Sequence, residues 1–482
     1  MLGLTPWMIR TWSAQGYGEF AIGSSTFVLL SLTDVGIRAN TRLALCRAGE
    51  KHCVKWPGIL ANSAIAFAVV GAVTVCLAIV LTVAGVGQTV FKISTANRNL
   101  LFATTTMTIL VMLSGLLLEP LVAIGQIGKL KLATASGWLA AIPATSFVLF
   151  TKGSVTNGLM CWLACLLGAN LIVLFRHRAV FRGMRVPRVQ LEFDKLVATF
   201  KESFWFNICN ASWTLKTYGT TLVISALIGP AAAGFFFILL RLSEVISALG
   251  AISSDVSFGE LAHARTAVER RRSFHSSYSW AVVLCSHIAL VIGFCTRDLL
   301  QRWLHPATPM SIFVGGIVVA LGLASAFNRT VTYAAMGLDL ARNAAQWGLI
   351  EAGVFAAAIV ASCQLGLMTQ LSLATLSAFA LIPLALAVSH RLGISFAGAW
   401  LQSFRFVAPF LAASALVLFA GRRVAEPWGN LAAVTISGLI ALTNVFDSRR
   451  RLRPIQRSVP ADQGFEAATT LRTQARGEAL TI

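Results

Sequence analysis

The chain has 482 residues, of which 56% are hydrophobic and only 12% charged, with a mean hydropathy of +0.75; an ordinary soluble chain carries about 25% charged residues. This balance excludes a soluble globular chain and predicts an all-α integral membrane protein. The formal charge of +20 sits in short loops and one tail, with no basic stripe interleaved with aromatics, so no nucleic-acid partner is expected.

A bilayer span needs about 17–25 mostly apolar residues. Thirteen segments qualify in chain order: 20–41, 57–85, 99–122, 133–151, 155–175, 204–228, 231–256, 279–296, 311–336, 345–363, 367–389, 405–421 and 428–446. They are continuously apolar rather than alternating, so helices are predicted and barrel strands are not. Of the 39 lysines and arginines, 27 fall in the loops on one side, 8 on the other and four within helices (Arg38, Lys216, Arg241 and Arg329). By the positive-inside rule the richer side is cytoplasmic, which places the C-terminus inside and the N-terminus of a thirteen-span chain outside. The predicted organisation is an N-terminal lobe of five spans (1–178), a cytoplasmic linker (179–203), a C-terminal lobe of six spans (204–390), two additional spans (391–446) and a basic cytoplasmic tail (447–482). Within the linker Phe193, Leu196, Val197, Phe200 and Phe204 share one helical face beside Lys195 and Lys201, the pattern of an interfacial helix.

Several chemistries find no support. Most of the nine cysteines lie inside apolar runs without ligand spacing, so neither a metal site nor a disulfide framework is predicted. Gly125-Gln-Ile-Gly-Lys129 lacks the phosphate-loop spacing and its following Ser or Thr, which argues against ATP hydrolysis. The longest outer loop, 297–310, holds only Arg297, Asp298, Arg302 and His305 as charged or imidazole groups. That is too little for a polysaccharide polymerase or ligase site; no enzyme and no cofactor are expected.

A charge at mid-membrane costs at least about 2.5–3.5 kcal/mol on insertion scales, so each one is a candidate for function. Asp34 and Arg38 stand at i, i+4, and Arg241 and Glu244 at i, i+3. Each pair has two readings, mutual neutralisation or a functional site. Lys216 and Arg329 have no carboxylate one turn away on their own helices, which leaves a water-filled cavity, a residue on another helix or an anionic ligand; for Lys216 the cavity is favoured. Glu119, Asp255 and Glu351 are expected toward cytoplasmic helix ends, either as proton- or Na⁺-coupling acids or as helix-end charges that reach water. Trp205, Trp213, Tyr218 and Tyr333 are candidates for stacking on sugar rings, with packing as the alternative.

Two stretches echo each other across the linker: Tyr17–Leu45 with Asp34, and Gly229–Arg265 with Asp255, as in transporters built from structural repeats. Gln15-Gly-Tyr-Gly-Glu-Phe, followed by a helix and Thr33-Asp-Val-Gly-Ile-Arg, resembles a signature of bacterial polysaccharide flippases. These form the O-antigen translocase-like branch of the multidrug/oligosaccharidyl-lipid/polysaccharide exporter superfamily. Ile228-Gly-Pro-Ala-Ala-Ala-Gly-Phe-Phe, followed by Leu240-Arg-Leu-Ser, is similar to the same family's seventh-to-eighth helix turn. The resemblance implies two pseudo-repeated lobes and alternating access in the inner membrane. It also implies an undecaprenyl-diphosphate-linked oligosaccharide as substrate, for exopolysaccharide, capsule or O-antigen assembly, with a polysaccharide polymerase complex as a further partner. On that reading Lys216, Arg329, Arg38 and Arg241 would meet the diphosphate or glycan, and Asp34, Asp255, Glu119 and Glu351 would serve as coupling or gating acids. A small-molecule antiporter of the same superfamily and a peptidoglycan-precursor flippase are the rivals. The family has a helix ahead of the Gln15–Phe20 turn that is missing here, so the coding sequence is expected to begin upstream of Met1 and to add an apolar segment of about 20 residues; a true thirteen-span variant is the alternative.

Overall fold

The computed structural model describes residues 2–34, 56–123, 127–178, 211–263, 266–304, 313–338, 340–362, 375–421 and 434–444, with scattered residues between them. The predicted linker and tail lie outside the described residues. The described part is helical, with no strand, as it must be where the backbone has only itself to hydrogen-bond. The N-terminal group is α1 (Thr5–Leu30), α2 (Trp56–Val83), α3 (Leu100–Leu116), α4 (Ile127–Phe150) and α5 (Val155–Arg176). The second group is α6 (Thr220–Leu227), α7 (Pro230–His263), α8 (Ala267–Leu304), α9 (Val314–Gly337), α10 (Ala341–Ala361), α11 (Ile382–Leu392) and α12 (Phe396–Gly421), followed by α13 (Val434–Asn444). Each of the thirteen predicted spans overlaps one of these helices. Seven described helices are long and apolar enough to cross a membrane, and α2 presents Val69, Val73, Val80 and Val83 outward as a lipid face would.

Within the first group α4 packs on α5, α5 on α3, and α3 on α2; within the second, α7, α8 and α9 pack on one another and α12 on α8. The groups meet where α1 lies against α6 and α7. There a Cβ at Gly18 would collide with the Pro230 carbonyl, and one at Gly234 would stand 3.0 Å from the Gly18 Cα. Small residues are what permit two membrane helices to approach this closely.

Two boundaries differ from expectation. The predicted turn at Gln15–Phe20 is helix; the break is at Ser13 (φ 67, ψ 172), whose Oγ accepts the Gly16 N–H at 3.4 Å as an N-cap would. The turns before Ser13 fold onto the bundle, with Trp12 stacked on Phe20 at 5.9 Å and its Nε1 donating to the Gly153 carbonyl at 2.7 Å. The span predicted to begin at 204 contains a π turn, Leu215–Gly219, ahead of α6. The residues from 216 to 221, Lys-Thr-Tyr-Gly-Thr-Thr, are poor in strong helix formers. The hydroxyls of Thr217 and Thr220 donate to the carbonyls of Trp213 (2.8 Å) and Lys216 (2.6 Å).

Candidate functional site

Where α1, α4 and α5 face α7, a cavity of about 460 Å³ opens between the two groups of helices, within the size of a ligand pocket. Tyr17, Phe20, Trp138 and Trp162 line one wall; Arg241 and Glu244 belong to the other. Arg241 Nη1 donates to Glu244 Oε2 at 2.7 Å and to the Tyr218 hydroxyl at 3.2 Å, and that hydroxyl donates to Glu244 Oε1 at 2.8 Å. The guanidinium also lies 4.6 Å from the Phe237 ring and 5.4 Å from the Tyr218 ring. The i, i+3 pair visible in the sequence is therefore real, and it faces the cavity. Arg241 Nε and Nη2 have no partner among the described residues, so charge neutralisation leaves donors unspent.

Lys216 departs from expectation. It does not open onto a cavity as an unpaired cation: its ammonium bonds Glu351 of α10, and both side chains are 8% exposed. Glu351 stands in the middle of α10 rather than at a helix end, and it also accepts from Asn328 Nδ2 of α9 at 2.5 Å. The π turn puts Lys216 in register with this carboxylate; π turns recur at functional sites. Arg329, on α9, lies over the rings of Trp213 (5.0 Å) and Tyr333 (5.8 Å), with no ion pair among the described residues. The space beside it is about 40 Å³, room for water but not for a diphosphate.

Arg38 is likewise paired across helices, where the sequence offered Asp34 as its i, i+4 neighbour. Its Nε donates to Glu119 Oε1 at 2.5 Å, and Glu119 is fully buried. Glu119 is thus no helix-end charge reaching water. Asp34 closes a 3-10 turn, Ser31–Asp34, and Asp255 lies within α7; their side chains are outside the described residues. The structure brings together Lys216 with Glu351 and Arg38 with Glu119, and of the six predicted site residues whose side chains are described only Arg241 lines the large cavity.

Three elements escaped sequence reasoning. Two are Trp138 and Trp162, which line the cavity. Glu19, 1% exposed, accepts from Ser94 N (2.7 Å), Ser94 Oγ (3.1 Å) and Asn97 Nδ2 (2.6 Å). Asn97 Oδ1 in turn accepts from Thr156 Oγ1 at 3.1 Å. This cage holds the connection that bridges the two groups of helices. Ser225 Oγ donates to the Phe91 carbonyl at 2.9 Å, and Lys92 Nζ reaches the Ile228 carbonyl at 3.5 Å. The only signal in the sequence was a glutamate between Gly18 and Phe20. Glu19→Ala would leave buried donors unmatched at about 1–3 kcal/mol each, so a clear fall in melting temperature in detergent is expected, partly recovered in Glu19→Gln. An unchanged melting temperature would contradict the cage.

No family model and no curated protein sequence matches the chain. Solved structures do match. An inward-facing multidrug resistance MATE family transporter of the MOP superfamily superposes with a TM-score of 0.60 at 14% identity, over 82% of this chain and 95% of that one. The lipid II flippase MurJ in an inward closed conformation gives 0.62 at 13% identity, over 94% and 97%. The eukaryotic MATE transporter AtDTX14 gives 0.50 at 13% identity, over 85% and 96%. These neighbours are transporters and flippases, and at such identities what is shared is the fold. The chain is an all-α, multi-pass membrane protein with the helical fold of MOP-superfamily transporters.

Proposed function

We propose that the protein is an inner-membrane flippase that moves undecaprenyl-diphosphate-linked oligosaccharide units by alternating access of two lobes, 1–178 and 204–390. It would serve exopolysaccharide, capsule or O-antigen assembly. The observation that carries this reading is Arg241: a guanidinium at the inter-lobe cavity, charge-balanced by Glu244 and still holding unspent N–H donors. Arginine grips phosphate through such donors as a planar fork. Among the described residues the only carboxylate lining that cavity, Glu244, is occupied by Arg241 and Tyr218, which disfavours the cationic substrate of a multidrug antiporter. The full-length likeness to a lipid II flippase fold supports a lipid-linked substrate. Lys216–Glu351 and Arg38–Glu119 then serve as paired charges inside the lobes rather than as diphosphate ligands. Arg329 remains an anion-facing candidate for a more open conformation.

Cells whose protein carries Arg241→Ala are expected to accumulate lipid-linked saccharide in the cytoplasmic leaflet and to lose about tenfold or more of export, since a charged hydrogen bond is worth about 1.5–3 kcal/mol. Arg241→Lys should retain a part. Normal export by Arg241→Ala would refute the assignment. Reporter fusions within 176–203 and 447–482 are expected to report a cytoplasmic location, because these two segments hold 14 of the 27 basic residues on that side; a periplasmic signal from either would reverse the orientation.

A further inference from the structure

The wall of the inter-lobe cavity opposite Arg241 holds polar groups that the protein itself leaves unmatched. Ser24 of α1 is 1% exposed and Trp162 of α5 is 2% exposed; among the described residues Ser24 Oγ and Trp162 Nε1 have no hydrogen-bond partner, and both residues line the cavity. A serine in a membrane helix normally donates back to a carbonyl one turn earlier, as Thr26 on the same helix does to Ile22 at 2.9 Å. Ser24 does not. Beside them Trp138 of α4 is 37% exposed and lines the same space, its ring 5.0 Å from that of Trp162, which also receives the edge of Phe27 at 5.3 Å. The wall therefore sets the exposed Trp138 indole beside a buried hydroxyl and a buried indole N–H that lack a partner among the described residues. A sugar ring is the matching chemistry, because one of its faces is C–H and apolar while its rim is hydroxyl. A cation, the other ligand of aromatic walls, would meet Arg241 and, among the described residues, no free carboxylate.

We propose that this wall is a glycan subsite: Trp138 takes a sugar face, and Ser24 with Trp162 hydrogen-bonds its hydroxyl rim. Arg241, on the facing helix, takes the diphosphate. The assignment rests on the lipid-linked saccharide reading and orients that substrate, sugar toward α1, α4 and α5 and phosphate toward α7.

The test uses full-length protein in lipid nanodiscs and two probes, undecaprenyl diphosphate bearing one N-acetylglucosamine and undecaprenyl diphosphate alone. Trp138→Ala is expected to weaken binding of the sugar-bearing lipid about tenfold and Ser24→Ala about threefold to tenfold, both leaving the bare lipid within about twofold of wild type on the same arithmetic. Trp138→Phe, which keeps a ring, should retain most of the affinity and guards against a folding defect. Equal losses for both lipids, or none for either, would overturn the subsite while leaving the flippase reading intact. Wild-type protein that binds neither lipid would overturn the flippase reading and the subsite with it.

Discussion

Glu351→Gln is expected to destabilise the protein by about 3–5 kcal/mol, because it strands the Lys216 ammonium in a buried site with no counter-charge. Both side chains are 8% exposed, and Asn328 gives Glu351 its second hydrogen bond; a neutral amide in place of the carboxylate supplies no counter-charge to the buried ammonium. The complementary Lys216→Ala should lose a similar amount by leaving Glu351 uncompensated. A buried pair replaced together by apolar residues of like volume is often neutral or stabilising. The double change Lys216→Met with Glu351→Leu should therefore recover the melting temperature in detergent. Transport then separates the two roles of the pair. Recovery of stability with export would make it a structural rivet between the π turn and α10. Recovery of stability without export would mean that its charges are used during the cycle. Single variants as stable as wild type would contradict the burial of the pair.

The legible part of this molecule is what the bilayer dictates locally. Span length and continuous apolarity fall out of α2, α5 or α9 because lipid demands about 20 apolar residues regardless of neighbours. Arg241 and Glu244 could be paired on paper because i, i+3 positions share a helix face. Lys216 and Glu351 stand 135 residues apart, and Arg38 and Glu119 81. Which distant helix supplies a counter-charge depends on how helices pack, and residue spacing carries no trace of it. The same limit hid the cavity: Trp138 and Trp162 lie in spans whose aromatics pack in most membrane proteins, and only the opposition of α4 and α5 to α7 shows that they border open space. The glycines of Gln15-Gly-Tyr-Gly-Glu-Phe misled for a related reason. Glycine suits a turn and a close helix crossing equally. Here Gly18 makes the crossing, and the turn falls at Ser13.

That crossing carries the second large prediction: Gly18→Leu should hold the two lobes apart at the end proposed to face outside, and abolish export. At this end α1 and α7 touch backbone to backbone, so a side chain at position 18 has nowhere to go but into the Pro230 carbonyl. The bonds of Ser225 to Phe91 and of Lys92 to Ile228 close the same end, and the Glu19 cage keeps their connection in place. Overpacking costs about 1–3 kcal/mol, charged here against the closed arrangement alone, which shifts its population by roughly 5- to 150-fold. The cavity should then be reachable from outside. In a background without native cysteines, Ser24→Cys should react several-fold faster with a membrane-impermeant thiol reagent added to intact cells when Gly18→Leu is present. Gly234→Ala, a smaller intrusion at the same crossing, should act in the same direction by less, and it covers the case in which leucine prevents folding. Unchanged labelling together with normal export in both variants would mean that the crossing is not a gate.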